Sequence, residues 1–287
     1  GMVSNILNMA VRALASSARV EEVLRERPAQ ELPERGVGPD RIRGQVAFER
    51  VSFTYAGTAR PAVEEVSFQA EAGQTIGIIG PTGSGKSTLM DLVPRFYDAG
   101  SGRVLVDGED VTQIDPQRLR RAIAVVPQKA LLFSGTILEN LRWGDQDASE
   151  EELKKAARIA CADEFVSSFP EGYETDLGQG GVNLSGGQKQ RLSIARALVR
   201  KPKILILDDC TSALDANTEA RVLQGIRQET DRTTVLLISQ RISTVMRADR
   251  ILCLEDGRVK GFGSHRELLE KCEVYRAIYE SQIGGRA

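Results

Sequence analysis

Thr75-Ile76-Gly77-Ile78-Ile79 is a short apolar run that leads directly into Gly80-Pro81-Thr82-Gly83-Ser84-Gly85-Lys86-Ser87-Thr88. A strand feeding a glycine loop of the form G-x-x-x-x-G-K-[ST] is compatible with few folds. Glycines let the backbone curl tightly enough to aim several N–H groups at one point, and a helix starting behind the loop adds a favourable dipole, so the fitting occupant is a chain of phosphates. Lys86 is expected to reach the β and γ phosphates and the Ser87 hydroxyl to ligate Mg2+. Gly80, Thr82, Gly83, Ser84, Gly85 and Thr88 complete the cradle. Magnesium also needs a carboxylate at the end of a neighbouring strand, and Lys203-Ile204-Leu205-Ile206-Leu207-Asp208-Asp209 supplies it. Four apolar residues in a row suit a strand buried on both faces of a parallel sheet, with Asp208 emerging at its C-terminal end, where ligands of open α/β sheets bind.

Around these two motifs the chain alternates β-rich runs and helical patterns, an α/β organisation. Runs at 46–55, 66–70, 75–79, 103–107, 203–207, 234–238 and 250–254 read as strands. Residues 130–200 are mostly helical and predict a helical subdomain, with Ser149 and Glu152 forming a capping box that starts a helix at Glu150. Residues 2–27 read as a helix whose Leu7, Val11, Leu14 and Ala18 share a face that should pack on something. Prolines and glycines over 28–44 predict a linker, which divides the chain into 1–44 and 45–287. Gly1 before Met2 reads as a cloning remnant, so a piece excised from a longer chain is expected. With 287 residues, 41% hydrophobic and a formal net charge of −2, a soluble globular chain without a global basic field is expected, and nucleic acid is not the default partner. Cys161, Cys210, Cys253 and Cys272 lack C-x-x-C spacing, which favours reduced thiols over a zinc site. No apolar run is long enough to span a membrane.

Between the two phosphate-site motifs, Asn183-Leu184-Ser185-Gly186-Gly187-Gln188, followed by Lys189-Gln190-Arg191, resembles the signature of ATP-binding cassette (ABC) proteins. Further positions match in order. Tyr55 resembles the aromatic that stacks on adenine, Gln128 the glutamine that touches Mg2+ and senses the γ-phosphate, and Ser212-Ala213-Leu214-Asp215 the loop that crosses to a partner. "VVPQKALLFSGTILENL" is similar to exporter-type transporters, and the N-terminal helix resembles the cytoplasmic end of their last membrane helix. The resemblance spans about residues 45–285. It implies a P-loop NTPase fold of the ABC type, with a RecA-like mixed-sheet core, an antiparallel β subdomain and a helical subdomain. It also implies ATP and Mg2+ as cofactors and placement on the cytoplasmic face of a cell membrane, in bacteria the inner membrane, beneath the subunit's own membrane domain. In the implied head-to-tail dimer, ATP on one domain's phosphate loop is capped by the other's Ser185, Gly186, Gly187 and Gln188, a second anion nest at a helix start.

Two positions depart from the family pattern. Asp209 stands where a glutamate usually positions the attacking water, and Gln240 where a histidine usually holds the γ-phosphate. Asp is one methylene shorter, setting its carboxylate back by about 1–1.5 Å, and a misplacement of about 1 Å can cost on the order of 100-fold. Gln240 can hydrogen-bond but cannot become cationic. His265, the only histidine, is expected to be a surface residue at a helix start capped by Ser264. With Lys86 and Gln128 intact, the expected reading is one half of a heterodimeric exporter that binds ATP, hydrolyses it poorly, and lends its signature to a partner subunit. A homodimer with two slow sites and a nucleotide-sensing module are the alternatives. A DNA-maintenance ATPase is disfavoured, because the stretch between Lys86 and Ser185 carries no sustained heptads.

Overall fold

The computed structural model describes residues 1–26, 30, 33, 41–230 and 232–284. The chain forms two compact units, Gly1–Leu32 and Pro33–Ala287. In the first, α1 (Met2–Arg25) runs for 24 residues and buries none of its side chains. The expected apolar face exists but stays bare: Leu7, Val11 and Leu14 are each more than 60% exposed. Most of the expected linker at 28–44 lies outside the described residues. Its last part, however, is tied to the larger unit, since the amides of Gly44 and Gln45 both donate to the Asp107 carboxylate, at 3.1 and 2.8 Å.

The larger unit holds twelve strands among the described residues: β1 (Val46–Phe53), β2 (Val63–Ala70), β3 (Thr75–Ile79), β4 (Ser101–Val106), β5 (Glu109–Asp110), β6 (Ile123–Val126), β7 (Gly135–Thr136), β8 (Asp176–Leu177), β9 (Ile204–Asp208), β10 (Thr234–Ile238), β11 (Arg250–Glu255) and β12 (Arg258–Gly263). An antiparallel sheet takes the order β2-β1-β4-β5, and the central sheet the order β12-β11-β3-β10-β9-β6. In the central sheet β11, β3, β10, β9 and β6 are parallel and β12 pairs antiparallel at the edge. This is a mixed central sheet beside a separate antiparallel sheet, the layout that the resemblance implies. The apolar runs of β3, β9 and β10 are buried along almost their whole length, because both faces of the sheet are covered. Leu205, Leu207, Val235 and Leu237 point into one core, and Ile204, Ile206, Leu236 and Ile238 into another shared with the antiparallel sheet.

Besides the two-residue strands β5, β7 and β8, sequence periodicity misses β6 and β12. The first is a four-residue apolar run with no period of its own. The second, Arg-Val-Lys-Gly-Phe-Gly, carries charges and glycines that read poorly as strand but are tolerated at a sheet edge.

The helices are α2 (Lys86–Asp91), α3 (Pro116–Ala122), α4 (Ile137–Arg142), α5 (Glu150–Ile159), α6 (Asp163–Val166), α7 (Gly186–Val199), α8 (Ala216–Glu229), α9 (Ile242–Val245), α10 (His265–Lys271) and α11 (Glu273–Tyr279). The Ser149–Glu152 capping box starts α5 as expected. His265 is not the free surface residue expected. Ser264 does cap α10, but α11 folds back so that the half-buried ring shares a 2.7 Å hydrogen bond with the hydroxyl of buried Tyr275. All four cysteines are buried and unpaired.

Candidate nucleotide site

Register places the site. Ile238 of β10 pairs with Ile78 on one side and Asp208 on the other, so β3, β10 and β9 end level. The carboxyl-end turns of all three strands therefore open onto one edge: the glycine loop after β3, Asp208-Asp209 after β9 and Ser239-Gln240 after β10. The magnesium carboxylate was expected on a strand neighbouring the phosphate loop. It lies one strand further away, with β10 between, and the level strand ends carry it across.

In the loop, Ser84 and Lys86 are buried while Thr82 and Gly83 face solvent. The Lys86 ammonium donates to the carbonyls of Gly80 and Pro81, at 2.9 and 2.7 Å, and to Ser84 Oγ at 3.3 Å. Burial lowers its pKa, and the nearby Asp208 and Asp209 carboxylates oppose that. Burial raises the Asp208 pKa, Asp209 adds to the rise, and a hydrogen bond from Ser87 with the charge of Lys86 opposes it. A hydroxyl and a carboxylate already in contact, with an amide oxygen at Gln128, are the hard oxygen donors that Mg2+ takes alongside phosphate oxygens. No cluster of three His, Cys, Asp or Glu among the described residues offers a competing metal site.

Asp209 is buried, with φ at 45°, a left-handed conformation that Asp tolerates better than most residues. Its N–H donates to the Ile238 carbonyl at 3.0 Å. Its Oδ2 accepts from Gln128 Nε2 at 3.1 Å and from Gln240 Nε2 at 3.4 Å. The two departures from the family pattern are thus in contact, and they share their acceptor oxygen with the glutamine of the same site. Tyr55 sits in an edge-to-face cluster with Phe53 and Tyr97, at 4.9 and 5.3 Å between centroids, and its hydroxyl meets Thr88 Oγ1 at 3.0 Å.

The signature residues form a separate feature. Ser185 caps α7, accepting from the Gln188 N–H at 3.3 Å while its own N–H donates to Gln188 Oε1 at 2.9 Å. The Gln188 N–H and Oε1 are thus used in the cap. Ser185 and Gly186 are exposed, and no hydrogen bond among the described residues joins 185–188 to 80–88.

Sequence reading assigned no role to two residues that organise these loops. Buried Gln190 accepts from the Ala213 N–H at 3.1 Å and donates to the Gln128 carbonyl at 3.4 Å. Arg241 donates to the carbonyls of Ser212 and Leu214, at 2.6 and 3.1 Å. A signal for Gln190 was present: it falls on the helical face of Ile194 and Ala197, where an amide must find partners. Gln190→Leu, which keeps the bulk and removes both bonds, is expected to slow ATP turnover several-fold while MgATP affinity stays within about twofold, because a net hydrogen bond of about 1 kcal/mol aligns loops rather than holding the phosphates. Steady-state hydrolysis alongside equilibrium binding checks this.

The fold and the level strand ends define a P-loop nucleoside-triphosphate-binding protein. Residues 63–212 match the ABC transporter family model, and the chain belongs to that family. It is 52% identical to the uncharacterized ABC transporter ATP-binding protein YfiB of Bacillus subtilis, over 95% of this chain and 47% of that protein. To the putative multidrug export ATP-binding/permease protein YgaD of the same organism it is 41% identical, over 94% of this chain and 47% of the relative. The solved structure of a bacterial Atm1-family ABC exporter with ATP bound superposes with a TM-score of 0.90 at 36% identity, covering 96% of this chain and 48% of that one. The chain spans about half the length of the curated relatives it matches.

Proposed function

We propose that this chain is the ATP-binding and ATP-hydrolysing domain of an ABC exporter subunit, coupling the nucleotide cycle to export through a membrane domain on whose cytoplasmic face it works. The observation that carries the reading is the convergence of Lys86, Ser87, Asp208, Asp209, Gln128 and Gln240 on one carboxyl edge of the central sheet. The exposed apolar face of α1 fits a helix that continues toward a membrane domain, and relatives bear exporter names.

In this reading the Lys86 ammonium leaves the Gly80 and Pro81 carbonyls for phosphate oxygens. Ser87, Asp208 and Gln128 hold Mg2+, which neutralises phosphate charge when bound. Asp209 orients the attacking water and Gln240 senses the γ-phosphate, both less effectively than Glu and His would. Ser185 with the Gly186 and Gly187 amides caps the nucleotide of a second ABC subunit, and a differently built partner would supply the faster site.

The isolated domain is expected to bind MgATP, to lose that binding in Lys86→Ala, and to hydrolyse slowly on its own. Titration calorimetry with phosphate-release kinetics tests this, and brisk hydrolysis by the unmodified domain would overturn the impaired-site part. Purification of the full-length protein then asks whether a distinct subunit carrying Glu and His at these two positions accompanies it.

A further inference from the structure

The loop that carries Gln240 runs straight into α9, a helix of a single turn whose N-cap residue, Arg241, provides no side-chain cap. The first amide of such a helix needs an acceptor from elsewhere. Gln282 supplies it. Its Oε1 accepts from the Ile242 N–H at 2.8 Å, and its Nε2 donates to the Gln240 carbonyl at 2.8 Å. One amide thus grips the backbone on both sides of Arg241, much as a neighbouring strand would.

Gln282 itself lies in a π-helical turn, Glu280–Gly284, that follows α11. Single π turns are rare and frequently found at functional sites. The base of this arm is rigid: Tyr275 of α11 is fully buried in a cluster that includes Ile242 and Val245. Its tip is exposed, so the Gln282 amide spends its hydrogen bonds on the loop rather than on the core.

What it holds is the backbone that carries Gln240. The Gln240 side chain makes one long bond, to Asp209, so the direction of that side chain is set by its backbone. The same backbone aims Arg241 at the 212–214 carbonyls. We infer that Gln282 is a positioning residue for ATP hydrolysis, a clasp by which the C-terminal arm sets the γ-phosphate-sensing loop. This rests on the reading of Gln240 given above. It makes the arm a control point, since whatever displaces it loosens the sensor without touching the phosphate loop.

The test compares Gln282→Ala, Gln282→Glu and Gln240→Ala with the unmodified chain, assayed without a partner subunit so that turnover reports this site alone. Turnover, KM for ATP, melting temperature and hydrogen exchange at the Ile242 amide are followed. Gln282→Ala should lower kcat on the order of 10-fold, since displacements of about 1 Å cost up to about 100-fold. KM and melting temperature should hold, while the Ile242 amide exchanges faster. Gln282→Glu, which keeps the acceptor for Ile242 and loses the donor to Gln240, should restore amide protection and recover only part of kcat. A purely structural cap would instead move melting temperature and leave kcat alone, overturning the inference. If Gln240→Ala slows turnover and Gln282→Ala does not, the clasp alone fails. If Gln240→Ala changes nothing, the reading of the site fails and the clasp with it.

Discussion

Asp209→Glu combined with Gln240→His should raise ATP turnover by at least on the order of 100-fold, with MgATP affinity little changed. The longer side chain advances a carboxylate that is now held back against the amides of Gln128 and Gln240. The imidazole adds a group able to carry positive charge as the transition state gains negative charge. A glutamate in place of Asp209 would keep the backbone bond to Ile238 that sets the turn, at the cost of a left-handed φ of 45° that suits Asp better than Glu, so the gain comes through reach. Because the two side chains share one oxygen, the effects should be non-additive, with the double variant exceeding the product of the singles. Single-turnover hydrolysis by the parent, both singles and the double measures the coupling. A double variant that binds MgATP normally and stays as slow as the parent would place the defect elsewhere.

Gly85→Ala should abolish MgATP binding and lower the melting temperature. Gly85 lies at φ +89°, and a Cβ there would stand 2.3 Å from the Ala62 carbonyl oxygen and 2.8 Å from Val63 Cγ1. Neither neighbour can retreat cheaply, because Ala62 is bonded to Phe53 and Glu64 to Gly257 through 2.8 Å backbone hydrogen bonds. The loop must therefore move instead, displacing Lys86 and Ser87. The conformational strain alone costs about 1–3 kcal/mol, and each kcal/mol is worth roughly 2–4 °C in a domain of this size. Gly83→Ala is the control: φ is +81° there but no atom lies within 4 Å of the new Cβ, so strain appears without the clash. Calorimetry and thermal melts of the pair separate the two contributions. Equal losses of binding would show that conformation, not contact, decides the site.

The sequence by itself determined the parts of this protein that are local. An apolar run ending in a glycine loop specifies a strand, a turn and a helix start within about a dozen residues, since each step follows from steric freedom and nearest-neighbour polarity. The buried strand before Asp208 and the Ser149–Glu152 capping box were legible for the same reason. Only the tertiary structure decided that β10 stands between β3 and β9 with all three ends level. Nor does any short-range pattern reveal that Gln128, Asp209 and Gln240 meet at one oxygen. It also drew His265 inward onto Tyr275 and enlisted Gln190, Arg241 and Gln282, whose bonds reach 23 to 62 residues along the chain. Hydrophobic periodicity reports which way a side chain faces, whereas a hydrogen bond between distant loops depends on sheet order and register, and these are settled only when the whole core packs.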